Sequence, residues 1–246
     1  MPSTEPLVLL PGLMCDGGVW SPLFAVLPSS QMTQVVDYGL ADSITAMAQL
    51  ALDQAPERFA LAGHSMGGRA ALEVVRLAPE RVTRVALLDT GYLARPAGSA
   101  GEQEASKRYA LLQVARTQGV DIMAQAWVQG MVHPDRLSDE ALITSIVGMF
   151  ARKSAEVFAC QIAALLARPD ASDVLRVLAV SMLPTLILCG AQDAWSTPAQ
   201  HEEMRALVPH AVLELVDAAG HMAPMEQPEA VARSLVHWLG QPRVAA

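Results

Sequence analysis

The chain has 246 residues, 52% hydrophobic and 17% charged, which is ample material for a core and rules out extensive disorder. Its 17 Lys and Arg against 25 Asp and Glu give a net charge of −8 with no basic run, so neither nucleic acid nor an anionic membrane is an expected partner. The 16 Gly and 16 Pro are scattered without a period, which excludes a fibrous repeat.

Three cysteines, Cys15, Cys160 and Cys189, lie far apart and outside any Cys-x-x-Cys pair, so neither a disulfide framework nor a zinc site is expected. Met1-Pro2-Ser3-Thr4-Glu5-Pro6 carries no basic residue ahead of its short apolar run, unlike a secretion signal, and no apolar stretch is long enough to span a bilayer. The expected compartment is the cytoplasm. The sequence leaves the oligomeric state open.

In chain order, short β-branched or leucine-rich runs bounded by turn residues predict strands near 6–10, 33–37, 58–62, 83–88, 184–189 and 211–216. Helical periodicity predicts helices near 19–28, 42–54, 66–78, 197–207 and 228–239, the last opening at Pro228 and stopping at Gly240. Strands that are nearly continuous apolar runs, each followed by a helix, predict an α/β fold with a mostly parallel sheet of about six strands covered on both faces. One interval breaks the alternation. Residues 92–180 contain no strand pattern, open on the flexible lead-in Ala94–Gly101, and predict helices near 102–118, 120–131, 138–150, 153–168 and 171–180. The expected organisation is a core domain of residues 1–91 and 181–246 interrupted by a helical cap, or lid, at 92–180.

The strongest chemical signal is Gly63-His64-Ser65-Met66-Gly67, directly after the run Arg58–Ala62 and directly before a helix. Gly-x-Ser-x-Gly between a strand and a helix is a nucleophile elbow. Its turn is so tight that side chains two residues either side of the serine collide with neighbours, and the serine itself is held in a strained backbone conformation. The helix N-terminus beneath it favours developing negative charge.

With this motif in place, the chain resembles an α/β-hydrolase carrying a helical cap, and the resemblance covers essentially its whole length. The family's chain order of nucleophile, acid and histidine implies the remaining roles. Leu186–Asp193 is an apolar strand followed by Gly-x-x-Asp, which makes Asp193 the orienting carboxylate. Asp89, at the end of the run Val85–Leu88, is the rival acid and is expected instead to cap a helix or loop. Ala219-Gly220-His221, ahead of Pro224, resembles the family's histidine loop and makes His221 the base. A serine hydroxyl is a weak nucleophile until a base takes its proton; imidazole suits that task, and a buried carboxylate fixes its tautomer. The resemblance also implies an oxyanion hole formed by the backbone N–H groups of Met66 and of Leu13, the latter in Leu9-Leu10-Pro11-Gly12-Leu13. There the chain departs from the family's usual His-Gly by having Pro11-Gly12.

Substrate contacts are expected from Met14, Trp127, Met131 and Met222, with His133 a further cap contact and Cys15 and Asp16 near the pocket floor. Trp20 is expected as a core anchor, His64 in a structural role, and His201, His210 and His237 at the surface. The combination predicts a serine hydrolase that cleaves carboxylic esters or lactones of small to medium molecules through an acyl-enzyme. Two alternatives use the same residues: a carbon–carbon bond hydrolase and an enol-lactonase of aromatic degradation. For an anionic substrate of either, Arg69, Lys107 and Arg108 are the visible cations. A non-catalytic ligand receptor on the same fold is the alternative from another class. With no Gly-x-Gly-x-x-Gly after a strand and no phosphate loop, no cofactor is expected, and the mechanism calls for no metal.

Overall fold

Six apolar runs form one parallel sheet in the computed structural model, which describes residues 5–242. Residues 1–4, part of the stretch compared above with a secretion signal, lie outside the described residues. Strands β1 (Leu7–Leu10), β3 (Phe59–His64), β4 (Val82–Leu88) and β5 (Thr185–Gly190) are buried along their whole length. The edge strands β2 (Thr33–Val35) and β6 (Val212–Val216) are partly exposed, as expected where only one neighbour covers the ladder. The order is β2-β1-β3-β4-β5-β6, so the chain leaves β1 in one direction for β2 and then returns to place β3 on its other side. Such a reversal opens a crevice at the carboxyl ends of the strands, where open α/β sheets bind their ligands.

Helices cover both faces. On one, α2 (Ile44–Gln54), α3 (Met66–Leu77), α8 (Ser172–Ser181) and α9 (Pro198–Leu207) touch in sequence. On the other, α1 (Ser21–Phe24) meets α10 (Ala223–Glu226) and α11 (Pro228–Leu239), with Trp20 and Trp238 fully buried. The helix expected over 19–28 is a correction: it is a 3₁₀ turn at Gly17–Trp20 followed by the single turn of α1. Pro28 disfavours helical geometry at the preceding residue, so the pattern cannot be completed.

Between β4 and β5 the chain forms α4 (Gly98–Gln118), α5 (Val120–Trp127), α6 (Glu140–Ala151), α7 (Ala155–Leu166) and then α8. Two expected boundaries move. Half of the lead-in at 94–101 is already helical, and α5 ends at Trp127 in a 3₁₀ turn, Val128–Gly130.

The elbow is where the fold is sterically tightest. A Cβ on Gly63 would lie 2.3 Å from the Gly67 carbonyl oxygen, and one on Gly67 would lie 2.0 Å from that of Leu10. Both contacts are with backbone, which cannot swing aside. Gly67→Ala is therefore expected to destabilise the protein by about 1–3 kcal/mol, read as a lowered urea midpoint with an unchanged slope.

Candidate active site

Ser65 lies at the carboxyl end of β3 with φ 55° and ψ −117°. A non-glycine residue at positive φ persists only where its surroundings over-determine it. Here the Ser65 N–H donates to Leu88 O at 2.9 Å, while its carbonyl accepts from Gly68 N–H at 3.0 Å and from the Thr90 hydroxyl at 2.6 Å. The backbone is fixed on both sides and the hydroxyl is left free to point into the crevice.

There it meets His221. Ser65 Oγ lies 2.8 Å from His221 Nε2, and His221 Nδ1 lies 2.8 Å from Asp193 Oδ2. The other oxygen of Asp193 accepts from the N–H groups of Trp195 at 2.8 Å and Ser196 at 3.0 Å. Burial works to raise the pKa of this carboxyl, but His221 and the two N–H groups hold it below the ordinary aspartate value. Ionised, Asp193 can only accept, so Nδ1 carries the proton and Nε2 is free to take the one on Ser65.

The loops bearing these groups are bound to each other. Gln192 N–H donates to Ala219 O at 2.9 Å, and its side-chain oxygen accepts from Ala219 N–H at 3.2 Å. A Cβ on Gly190 would lie 2.1 Å from the Gly220 carbonyl oxygen. His221 itself is held at both ends of its peptide: its N–H donates to Met131 O at 2.6 Å and its carbonyl accepts from His64 Nε2–H at 2.8 Å. His64 is 1% exposed; burial, followed by His221, pushes its pKa down to about 3, so it stays neutral and serves as a structural donor.

Glu226, to which sequence reasoning assigned no role, completes the arrangement. It accepts from the backbone N–H groups of Gly220 at 2.9 Å, Met222 at 3.1 Å and His133 at 2.7 Å. One buried carboxylate thus ties both flanks of His221 to the segment after α5. Burial raises its pKa against the pull of these N–H groups.

Asp89 is a correction. It caps no helix: at φ 48° and fully buried, it accepts from Gly190 N–H at 2.8 Å and so joins the ends of β4 and β5. Burial, and after it the charge of Asp193, push its pKa well above the ordinary value. The two carboxyls are therefore driven apart, Asp193 towards the ionised form and Asp89 towards the neutral one. Asp89, Cys189 and Asp193 offer donor atoms within 4.8 Å of one another, but the set does not suit an ion. Burial keeps the Cys189 thiol protonated, and both oxygens of Asp193 are engaged.

A cavity of about 540 Å³ opens over Ser65. Leu13, Met66, Trp127, Met131 and Met222 line it, as does Cys15. Leu13 N–H has no backbone acceptor among the described residues, and Met66, as the first residue of α3, has an N–H without an intrahelical partner. Met14 does not line the cavity. It is fully buried, and its N–H donates to Gln161 Oε1 on α7 at 2.8 Å, a bond that fixes the Leu13 loop. His133 lies outside the lining as well, engaged with Glu226 and with Asp135 N–H. Asp16 accepts from Gly18 N–H and pairs with Arg152.

Among the histidines expected at the surface, His201 is fully buried: its Nε2 accepts from Thr90 N–H at 3.1 Å and its Nδ1–H donates to Thr197 O at 2.9 Å. It thereby holds the residue that pins Ser65. Trp195 was also missed. Its ring stacks on Trp127 at 5.6 Å and lies 5.0 Å from the His221 ring, making an aromatic wall with Phe150. Its position two residues after Asp193 was the signal available.

The sequence profile described as the alpha/beta hydrolase family matches residues 7–234. The pimeloyl-(acyl-carrier protein) methyl ester esterase of Photobacterium profundum is 42% identical over 87 residues, 32% of this chain and 34% of that protein. The 3-oxoadipate enol-lactonase 2 of Acinetobacter baylyi is 30% identical over 169 residues, 68% of this chain and 58% of that protein. The matches thus span about a third and somewhat over half of these relatives' lengths. Among solved structures, a thermophilic esterase from Thermogutta terrifontis superposes with a TM-score of 0.79 at 27% identity, covering 96% of this chain and 89% of its own. The enol-lactonase of Burkholderia xenovorans shares the fold, with a TM-score of 0.82 at 23% identity over 97% of this chain and 92% of its own. With the profile matched from β1 into α11 and the sheet order described above, the chain belongs to the alpha/beta hydrolase family.

Proposed function

We propose that the protein is a serine hydrolase that cleaves carboxylic esters or lactones of small to medium molecules through an acyl-enzyme, with Ser65 as nucleophile, His221 as base and Asp193 as its orienting acid. The observation that carries this is the unbroken chain of 2.8 Å contacts from Ser65 Oγ through His221 to Asp193, opening on a cavity. As Ser65 attacks the carbonyl carbon, Nε2 takes its proton, and Asp193 stabilises the imidazolium. The Leu13 and Met66 N–H groups receive the oxyanion, a donor of this kind contributing about 3 kcal/mol. Collapse of the tetrahedral intermediate expels the alcohol, protonated by His221; water, deprotonated by the same ring, then releases the acid. A lactone follows the same course with its alcohol still tethered. The relatives include both an ester hydrolase and an enol-lactonase, which suits a site that makes no distinction between open and closed esters at the carbonyl.

Residues 92–180 act as a cap in this reading, since α4 to α7 supply Trp127, Phe150 and other lining groups that face Ser65 across the cavity. No helix among the described residues is long and apolar enough to cross a membrane.

Ser65→Ala is expected to lower kcat for p-nitrophenyl butyrate by about 10⁴- to 10⁶-fold and to abolish labelling by a fluorophosphonate, with the thermal midpoint retained. Full activity in this variant would overturn the assignment. Asp193→Asn is expected to lower kcat by about 10⁴-fold, whereas Asp89→Asn, which replaces a neutral carboxyl by a neutral amide, should stay within about threefold of wild type. Asp89 also makes a stability prediction. Its folded pKa is raised, so its contribution is fully present below the unfolded value of about 3.9 and is lost as pH rises towards the folded value. Urea unfolding should therefore show Asp89→Asn gaining stability relative to wild type between pH 4 and pH 8; a constant difference would refute the neutral carboxyl.

A further inference from the structure

The cavity over Ser65 has two unlike walls. Trp127, Trp195 and Phe150 make one aromatic; Arg69, Lys107, Arg108 and Arg168 make the other cationic, with Glu104 the one acidic residue that lines it. In a chain of net charge −8, four cations against one carboxylate in a single cavity run counter to the overall balance.

Glu104 is already committed. Arg168 holds both of its oxygens, at 2.6 and 2.9 Å, and Arg108 reaches the first of them at 3.0 and 3.1 Å. These bonds fasten α4 to the end of α7 and account for two of the arginines. Arg69 is left over. Among the described residues it forms no ion pair, and its one hydrogen bond runs from Nη1 to Leu93 O at 2.8 Å. Its Nη2 is beside Gly91, where an added Cβ would come within 2.8 Å of it, and both residues line the cavity. Burial, followed by the neighbouring Arg168, pushes its pKa down to about 9 against the opposing pull of Glu104 and Asp170. A half-buried guanidinium keeps its charge, and its planar fork suits a carboxylate.

From this we infer that Arg69 forms a carboxylate subsite, and that the preferred substrates are esters or lactones bearing a free carboxylate a few bonds from the scissile carbonyl. Arg69 sits on α3 four residues after Ser65, one helical turn away, so nucleophile and anion holder share one rigid element. The aromatic wall then receives the uncharged portion of the substrate. This rests on the ester-hydrolase reading given above and adds to it the charge of the substrate.

Monoethyl adipate and ethyl hexanoate form a matched pair, identical in acyl length and differing by a terminal carboxylate in place of a methyl. In the wild type, kcat/KM is expected to favour monoethyl adipate by about tenfold or more, with the advantage in KM and much reduced in 0.5 M NaCl. In Arg69→Gln that ratio should fall by about 10- to 100-fold, and Arg69→Lys should restore part of it. A wild-type preference for the neutral ester, or an equal ratio in Arg69→Gln and wild type, would overturn the subsite. Calorimetric titration with adipate and with hexanoate reads the subsite without turnover. If ethyl hexanoate is hydrolysed and adipate binds no better than hexanoate, the subsite fails and the hydrolase reading stands. If neither ester is hydrolysed while adipate binds the wild type and not Arg69→Gln, the subsite stands and the hydrolase reading fails.

Discussion

The contact on which the site depends is the one between the Gly67 Cα and the Leu10 carbonyl, where a single methyl would fall at 2.0 Å. Because α3 runs this close to the end of β1, the turn between β3 and α3 has no room to relax, and Ser65 is forced to positive φ. The strain is local, and the helix dipole and the free N–H groups at the start of α3 are delivered to the same point. Gly12 on the neighbouring loop extends the crowding, since its own Cβ would meet His64 Nδ1 at 2.9 Å and Ser65 Cβ at 3.2 Å. Sterics thereby place the nucleophile and the proposed oxyanion donors, and the Thr90 hydroxyl and the Gln161 amide fasten the same two segments.

Electrostatics does the corresponding work on the acid side. Two carboxyls, Asp89 and Asp193, sit near one another in the same buried region, and both could not be ionised cheaply. Their surroundings decide between them: two N–H groups and an imidazole bond to Asp193, while Asp89 accepts a close hydrogen bond from Gly190 N–H alone and its Oδ2 has no hydrogen-bond partner among the described residues, with neutral His64 3.8 Å away. Neutral Asp89 avoids a second buried charge beside Asp193, and its bond to Gly190 holds the ends of β4 and β5 together beneath the acid loop. A rival acid in the sequence thus becomes a strut in the structure.

What the sequence revealed follows the range of each interaction. The four inner strands and α3 were legible because their burial imposes a local pattern, the partly exposed edge strands β2 and β6 from their β-branched or leucine-rich runs between turn residues, and Ser65, Asp193 and His221 because each lies in a short motif beside a strand end. Glu226, His201 and Arg168 were not. Arg168 acts on Glu104 far along the chain, and His201 and Glu226 act on backbone N–H groups, that of Thr90 for His201 and those of Gly220, Met222 and the remote His133 for Glu226, and a backbone N–H carries no residue identity that a sequence could display. The same reason hid the true position of Met14, which depends on Gln161 of α7. Short-range patterning also overstated the first helix, whose periodicity ran past what Pro28 allows.

The remaining connection is between substrate choice and catalysis. The His221 N–H bonds to Met131 O, and Glu226 reaches His133 from the same loop, so the histidine loop and the segment after α5 form one hydrogen-bonded unit. That segment continues from Trp127, which stacks on Trp195, which in turn packs against the His221 ring. A substrate that displaces the aromatic wall therefore moves groups that touch the imidazole directly. Arg69, by contrast, sits on α3 with Ser65 and is independent of that unit. The aromatic half of the cavity is coupled to the base and the cationic half to the nucleophile. A substrate that fills both halves therefore touches both of the elements between which the 2.8 Å Ser65–His221 contact runs.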